Sequence, residues 1–207
     1  MTTIEREIAS VLIEALVDYG AIEHLRECGK GSFRDWYETE GLVYAGFSMA
    51  SGCTKACIWH DDLNDWIIKV SFSNSKIDYA ELEYTNYCLA EEAGLGYYFP
   101  ETVYIGTFGG HRFYAQRECE CDEDSVSKEW YDSLCDRYYD RGEEYDCDTI
   151  WSEVDDLEDD ERVELLFGDE KLIEFLREYK INDLHEGNFG YRGGNMVIID
   201  FSGFREW

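Results

Sequence analysis

Apolar residues first recur at helical intervals, through Ile4, Ile8, Val11, Leu12, Ala15 and Leu16. Thr2-x-x-Glu5 stands at their head as a capping box, in which a hydroxyl and a carboxylate each satisfy a backbone amide of the other's residue. The chain is therefore expected to open with an amphipathic helix. The pattern changes at Trp66-Ile67-Ile68-Lys69-Val70, a continuous apolar run with one lysine inside it, which predicts a strand. A polar break from Ser71 to Lys76 leads into good helix formers, with apolar residues at Tyr79, Leu82, Tyr87 and Leu89 and with Asp78 placed to cap them. Two more strands are expected at residues 102–106 and 112–116, joined through Gly109-Gly110, a hairpin signal. A last apolar run, Val197-Ile198-Ile199, ends in Asp200-Phe201.

Charge adds a feature that hydropathy does not show. The formal net charge is −29 over 207 residues. Residues 118–170 hold 23 Asp or Glu against four Lys or Arg, a net of −19. That block also carries Trp130, Tyr131, Tyr138, Tyr139, Tyr145 and Trp151, too many aromatics for a disordered acidic tail, so two or three folded helices with densely acidic outer faces are expected. Carboxylates spaced along such a surface present a nucleic-acid-like potential. They point to a basic or nucleic-acid-binding protein as partner, and away from direct nucleic-acid binding. The first helix is too polar for a signal peptide or a membrane span, and no later run is long enough to span. Eight cysteines occur without a C-x-x-C pair, so reduced thiols and a cytoplasmic location are expected. One proline, no low-complexity linker and no internal repeat imply a single compact unit.

The candidate chemistry lies in three places. An ammonium inside an apolar strand is costly without an anionic partner, which singles out Lys69. Ahead of it, Ala50-Ser51-Gly52-Cys53-Thr54-Lys55-Ala56-Cys57-Ile58 contains small residues that let backbone N–H groups approach a phosphate. Near the end, Asp183-Leu184-His185-Glu186-Gly187-Asn188 is followed, twelve residues after Asn188, by Asp200. Either half alone reads as a polar turn or as a buried strand ending in Asp. Together, in this order, they supply the two acids and one amide of a magnesium-nucleotide phosphotransferase.

On these motifs, residues from about Gly46 to Gly203 resemble a small, truncated member of the protein-kinase-like superfamily. The Asp-Leu-His-x-Gly-Asn loop is also similar to that of aminoglycoside and choline phosphotransferases. In size and order of parts the chain looks like the early serine/threonine kinases of lytic phages that act on host transcription. The resemblance implies an α+β, two-lobed fold in a single kinase-like domain spanning 1–207. Residues 1–117 would form the N-terminal helix and a small antiparallel-sheet lobe that binds nucleotide, and 118–207 an acidic, mostly helical lobe with the catalytic and metal loops. The connector would lie near Arg117-Glu118-Cys119 and bind adenine through its backbone.

It further implies ATP and Mg2+ as cofactors and assigns roles. Asp183 orients the acceptor hydroxyl, with His185 as a buttress. Asn188 and Asp200 hold magnesium. Lys69 contacts the phosphates, and Gly52, Cys53 and Thr54 cover them. One glutamate of the helix after Lys69 positions that lysine, with Glu83 the first candidate and Glu81 the second. The departures are equally plain. The catalytic tripeptide is Ile181-Asn182-Asp183, without the usual His and Arg, and the metal tripeptide is Asp200-Phe201-Ser202, with Gly203 one place late. Two loop glycines are missing, and four residues follow Gly203, so the peptide-binding helices of a full kinase are not expected. Two functions therefore stand side by side. One is an ATP-dependent phosphotransferase, encoded by a phage or mobile element and acting on a host protein. The other is a degenerate kinase-fold acidic protein that inhibits a nucleic-acid-binding host or defence protein by nucleic-acid mimicry.

Overall fold

The computed structural model describes residues 1–27, 30–73, 76–120, 161, 164, 166–182, 184 and 186–203. The acidic helices expected within 118–170 lie outside the described residues apart from that block's two ends, and so do Asp183 and His185. The protein is α+β and divides into two compact units, Met1–Leu89 with Pro100–Glu118, and Ala90–Phe99 with Cys119–Trp207. Among the described residues no helix is long and apolar enough to cross a membrane.

The first unit is built on a five-stranded antiparallel sheet in the order β1-β2-β3-β5-β4. Its strands are β1 (Phe47–Ser51), β2 (Lys55–His60), β3 (Trp66–Ser71), β4 (Thr102–Phe108) and β5 (His111–Arg117). β3 is central and buried along its whole length, which is why it reads as an unbroken apolar run. Gly109 and Gly110 turn β4 into β5 with φ of +56° and +85°, the left-handed pair that a two-residue hairpin requires.

Helix α1 (Thr3–Asp18) opens with the capping box complete, Thr2 Oγ1 accepting from the Glu5 amide and Glu5 from the Thr2 amide. Its buried face runs through Ala9, Leu12, Ile13 and Leu16. Ile4 and Val11 are exposed, so the apolar stripe is rotated from the one that the hydrophobic spacing suggested. Both stripes obey the same periodicity, and the contact with β4 selects between them. Helices α2 (Ala21–Glu27) and α3 (Lys30–Glu40) follow, and neither is apparent from the apolar pattern. Their buried side chains include Ile22, Leu25, Phe33 and Trp36, which join the core beneath the sheet; Phe33 meets Phe72 at a ring separation of 5.8 Å.

Between β3 and β4 the chain forms α4 (Tyr79–Ala93). Asp78 caps it, accepting from the Glu81 amide at 3.1 Å and from the Ser71 hydroxyl at 2.7 Å. Its buried stripe passes through Tyr79, Ala80, Glu83, Asn86 and Ala90. Two polar residues thus occupy a face that apolar spacing alone cannot locate.

The second unit combines a short helical turn at Gly96–Tyr98 with α5 (Glu170–Tyr179) and the hairpin β6 (Phe189–Arg192) and β7 (Asn195–Ile198). Phe99 packs on Phe175 and Phe201, with ring centroids 5.9 and 4.9 Å away. Asp169 caps α5 through the Lys171 amide at 2.9 Å and also accepts the Tyr98 hydroxyl at 2.8 Å. The Tyr98 bond holds the Asp169 carboxyl below its ordinary pKa, while burial first and then the bonds to Tyr97 and Asp169 push the Tyr98 phenol up. Asp169→Ala removes both the cap and the tyrosine's acceptor, and an expected loss of about 1–2 kcal/mol follows in urea denaturation. Because the carboxyl's folded pKa is depressed, its contribution is present above the unfolded value, 3.8, and is lost as pH falls through the folded one. The wild-type and Asp169→Ala stabilities should therefore converge in acid. A gap independent of pH would exclude this account.

Candidate functional site

Lys69 lies in the middle of β3, opposite Cys57 of β2, while Lys55 of β2 lies opposite Ser71. Residues two apart on a strand share a face, so the two lysines project to the same side of the sheet. Glu83 of α4 meets them there. Lys69 Nζ donates to Glu83 Oε2 at 3.0 Å and Lys55 Nζ to Oε1 at 2.7 Å. All three are nearly inaccessible, with side-chain exposures of 6%, 5% and 0% for Lys69, Lys55 and Glu83. One carboxylate therefore fixes two ammonium groups on adjacent strands. Desolvating three charges costs several kcal/mol per ion, and mutual attraction offsets that cost only while all three are present in this geometry.

Of the two glutamates singled out in the sequence, Glu83 faces the sheet lysines. Glu81 faces the other way and pairs with Arg112. Lys55 was not among the site residues taken from the sequence. Its signal is the hairpin register, which sets a lysine diagonal to Lys69 once β1 and β2 are recognised as strands rather than loop.

Within the stretch expected to cover phosphates, only Gly52, Cys53 and Thr54 lie in the turn. The residues on either side belong to β1 and β2, and the Gly52 amide closes the turn onto the Lys55 carbonyl at 3.1 Å. A Cβ at Gly52 would meet no atom within 4 Å, so nothing in the fold requires glycine there and space is left over the turn. Cys53 is exposed at its tip.

In the second unit the β6–β7 hairpin brings Asn188 and Asp200 to its open end. Asn188 ends the short helical turn Glu186–Asn188, and its carbonyl accepts the Ile199 amide at 2.8 Å, which extends the ladder by one pair beyond Phe189 and Ile198. Asp200 follows directly. Asn188 is buried, and Asp200 is half-buried with its Oδ1 accepting the Ser202 hydroxyl at 3.0 Å. Phe201 and Ser202 are buried, as are Ile181 and Leu184. Ser202, like Lys55, was not among the candidate residues taken from the sequence, yet its hydroxyl is bonded to Asp200. Gly203 follows, with φ of +70° and an α-carbon so close to Lys180 that a Cβ would come within 2.1 Å of the Lys180 carbonyl oxygen.

The structure thus brings Lys69 to Glu83, with Lys55, in one unit, and Asn188 to Asp200 in the other. The first set offers ammonium groups held in fixed positions beside a turn of small residues. The second offers a carboxylate and an amide oxygen, hard donors of the kind that magnesium takes. Among the described residues no three His, Cys, Asp or Glu side chains gather as a metal-binding group. No protein-family model matches the chain, and no curated protein or solved structure is significantly similar to it.

Proposed function

We propose that the chain is an ATP-dependent phosphotransferase of the protein-kinase-like type. The observation that carries this reading is Lys69 of the central strand, held by Glu83 of α4, which lies between β3 and β4. A strand lysine paired to a helix glutamate is the device by which kinases place an ammonium against nucleotide phosphates. The sheet order β1-β2-β3-β5-β4 supports the same reading. Lys69 contacts the phosphates, Glu83 positions it, and the turn at Gly52, Cys53 and Thr54 covers them. Asp183 orients the acceptor hydroxyl. Asn188 and Asp200 would hold Mg2+, which takes one or two protein oxygens and completes its shell with water and phosphate, and which would neutralise charge on the transferred group. Ser202, bonded to Asp200, orients that carboxylate.

A thermal shift tests the reading directly. Mg–ATP at a hundred times its dissociation constant should stabilise the protein by about 2.7 kcal/mol, and Lys69→Met and Asp200→Asn should each remove most of that shift. Asp200→Asn should also abolish phosphoryl transfer while the fold persists. If wild type and Asp200→Asn act equally, the enzyme reading falls. The acidic surface then becomes the functional element, a mimic of nucleic acid directed at a basic protein, a reading favoured by the net charge of −29.

A further inference from the structure

The five-stranded sheet has two edges, and they are finished differently. At β4, helix α1 packs along the strand, the Arg6 guanidinium donates to the Tyr104 carbonyl, and the register with β5 shifts between Tyr104 and Gly106. A covering helix and a bulge are both devices that keep an edge from pairing. At β1 the register with β2 is continuous from Phe47 to Ser51, and no Asp, Glu, Lys or Arg occurs from Gly41 to Thr54. That is the longest uncharged run in a chain of which 31% is charged.

The ladder fixes which backbone groups of β1 face outward. The Asp61 amide bonds to the Gly46 carbonyl, and the Gly52 amide to the Lys55 carbonyl. Hydrogen-bonded pairs alternate along an antiparallel ladder, so Ser48 and Ala50 bond to β2 while Phe47, Met49 and Ser51 turn their N–H and C=O groups to the edge. The Phe47 carbonyl confirms the direction, since it accepts the Tyr37 hydroxyl at 2.7 Å. Among the described residues, no hydrogen bond satisfies the outward groups of Met49 and Ser51. Immediately before β1, the helical turn Leu42–Ala45 is closed at both ends by left-handed glycines, Gly41 and Gly46, and presents Val43 and Tyr44 to solvent, 58% and 94% exposed.

We infer that the β1 edge is a dimer interface, at which a second copy of this chain adds its own β1 in antiparallel register about a two-fold axis through Met49. A row of outward N–H and C=O groups is matched by another strand, and antiparallel pairing of identical edges closes after two copies. The outward groups are self-complementary about that axis, Met49 meeting Met49 of the copy and the Phe47 amide meeting the copy's Ser51 carbonyl. The continuous sheet so formed ends on both sides in a covered β4. Charge selects this occupant. A chain with 47 acidic against 18 basic residues repels its own copies over most of its surface, and Gly41–Thr54 is the stretch through which two of them can meet without opposing carboxylates. A basic partner would be drawn to acid, which this stretch lacks. The pairing uses none of Lys69, Glu83, Asn188 and Asp200, so it is independent of the phosphotransferase reading.

Sedimentation velocity of the full chain across a range of sodium chloride concentrations tests the assignment. A reversible monomer–dimer equilibrium is expected, and it should strengthen as salt rises, because screening relieves the repulsion between two negative copies and leaves the neutral strand pairing intact. Met49→Pro removes an amide that β2 does not use, a change that edge strands tolerate. It should weaken the dimer about tenfold or more while the circular dichroism of the monomer is unchanged. Should that variant fail to fold, Ser48→Glu with Ala50→Glu decides. Both side chains are exposed, and across the axis residue 48 faces residue 50 of the copy, so like charges meet directly and the same loss is expected. A monomer at every salt concentration, up to the highest soluble protein concentration, would overturn the assignment. So would a dimer that weakens with salt, or one that these substitutions leave unchanged.

Discussion

Glu83→Gln is expected to lower the stability of the protein by about 3–5 kcal/mol, the cost of breaking a buried ion pair by neutralising one member. The substitution preserves size and shape, so loss of packing is not the cause. It removes the carboxylate that Lys55 and Lys69 share at 2.7 and 3.0 Å, in a place where all three side chains are almost wholly withdrawn from water. On the proposed reading nucleotide binding should weaken as well, because Lys69 loses the carboxylate that positions it. Stability and function separate in the triple variant Lys55→Met, Lys69→Met, Glu83→Leu. Replacing buried charges together by apolar groups of similar volume is often neutral or favourable, so this variant should be more stable than Glu83→Gln and, on the proposed reading, should bind no nucleotide. Urea denaturation of both variants decides the matter. A Glu83→Gln cost below about 1 kcal/mol, the level of an ordinary substitution, would show that the cluster is not the buried unit described.

Gly203→Ala should be comparably damaging, at about 4 kcal/mol, a size reserved for a few mechanisms such as backbone strain and steric overlap. Two effects coincide at this residue. Its φ of +70° disfavours any side chain, and a methyl group would sit 2.1 Å from the Lys180 carbonyl oxygen, backbone that cannot swing aside. Lys180 is itself left-handed, with φ of 56°, because it closes α5, where the Ile181 amide returns to the Leu176 carbonyl at 2.9 Å. Gly194 provides the control. Its φ of +80° is equally left-handed, but nothing lies within 4 Å of its missing Cβ, so Gly194→Ala should cost only about 1–2 kcal/mol. Equal losses at the two positions would remove the close approach from the explanation.

These examples show what the sequence does and does not disclose. The β3 run, the Gly109-Gly110 turn and the capping box at Thr2 are legible because each depends on residues adjacent in the chain. Helices α2 and α3 are not, since their buried residues become a pattern only once a sheet exists to receive them. The same limit applies to the charges. Lys69 stands out as an ammonium in an apolar strand, yet Glu81 and Glu83 are equivalent until α4 is rotated against the sheet, and the buried stripe of α4 contains Glu83 and Asn86 where periodicity seeks apolar residues. Lys55 escaped because its meaning lies in cross-strand register. Gly203 is conspicuous in sequence only as a displaced glycine, whereas its requirement comes from a carbonyl more than twenty residues away.

The division of the chain into units also carries a consequence for its synthesis. Ala90–Phe99 belongs to the second unit although it is made before Pro100–Glu118, which completes the first. Phe99 packs on Phe175 and Phe201. At typical elongation rates of about 5–20 residues per second, its aromatic partners emerge from the ribosome roughly 5–20 s after it does. Once Arg117 has emerged, roughly 1–4 s after Phe99, the largely aromatic segment Leu95-Gly96-Tyr97-Tyr98-Phe99 is tethered to a sheet able to form while its partners are still to come. On the nascent chain, Phe99 is therefore an apolar side chain that waits for its partners longer than any residue of the first unit's sheet waits for its own.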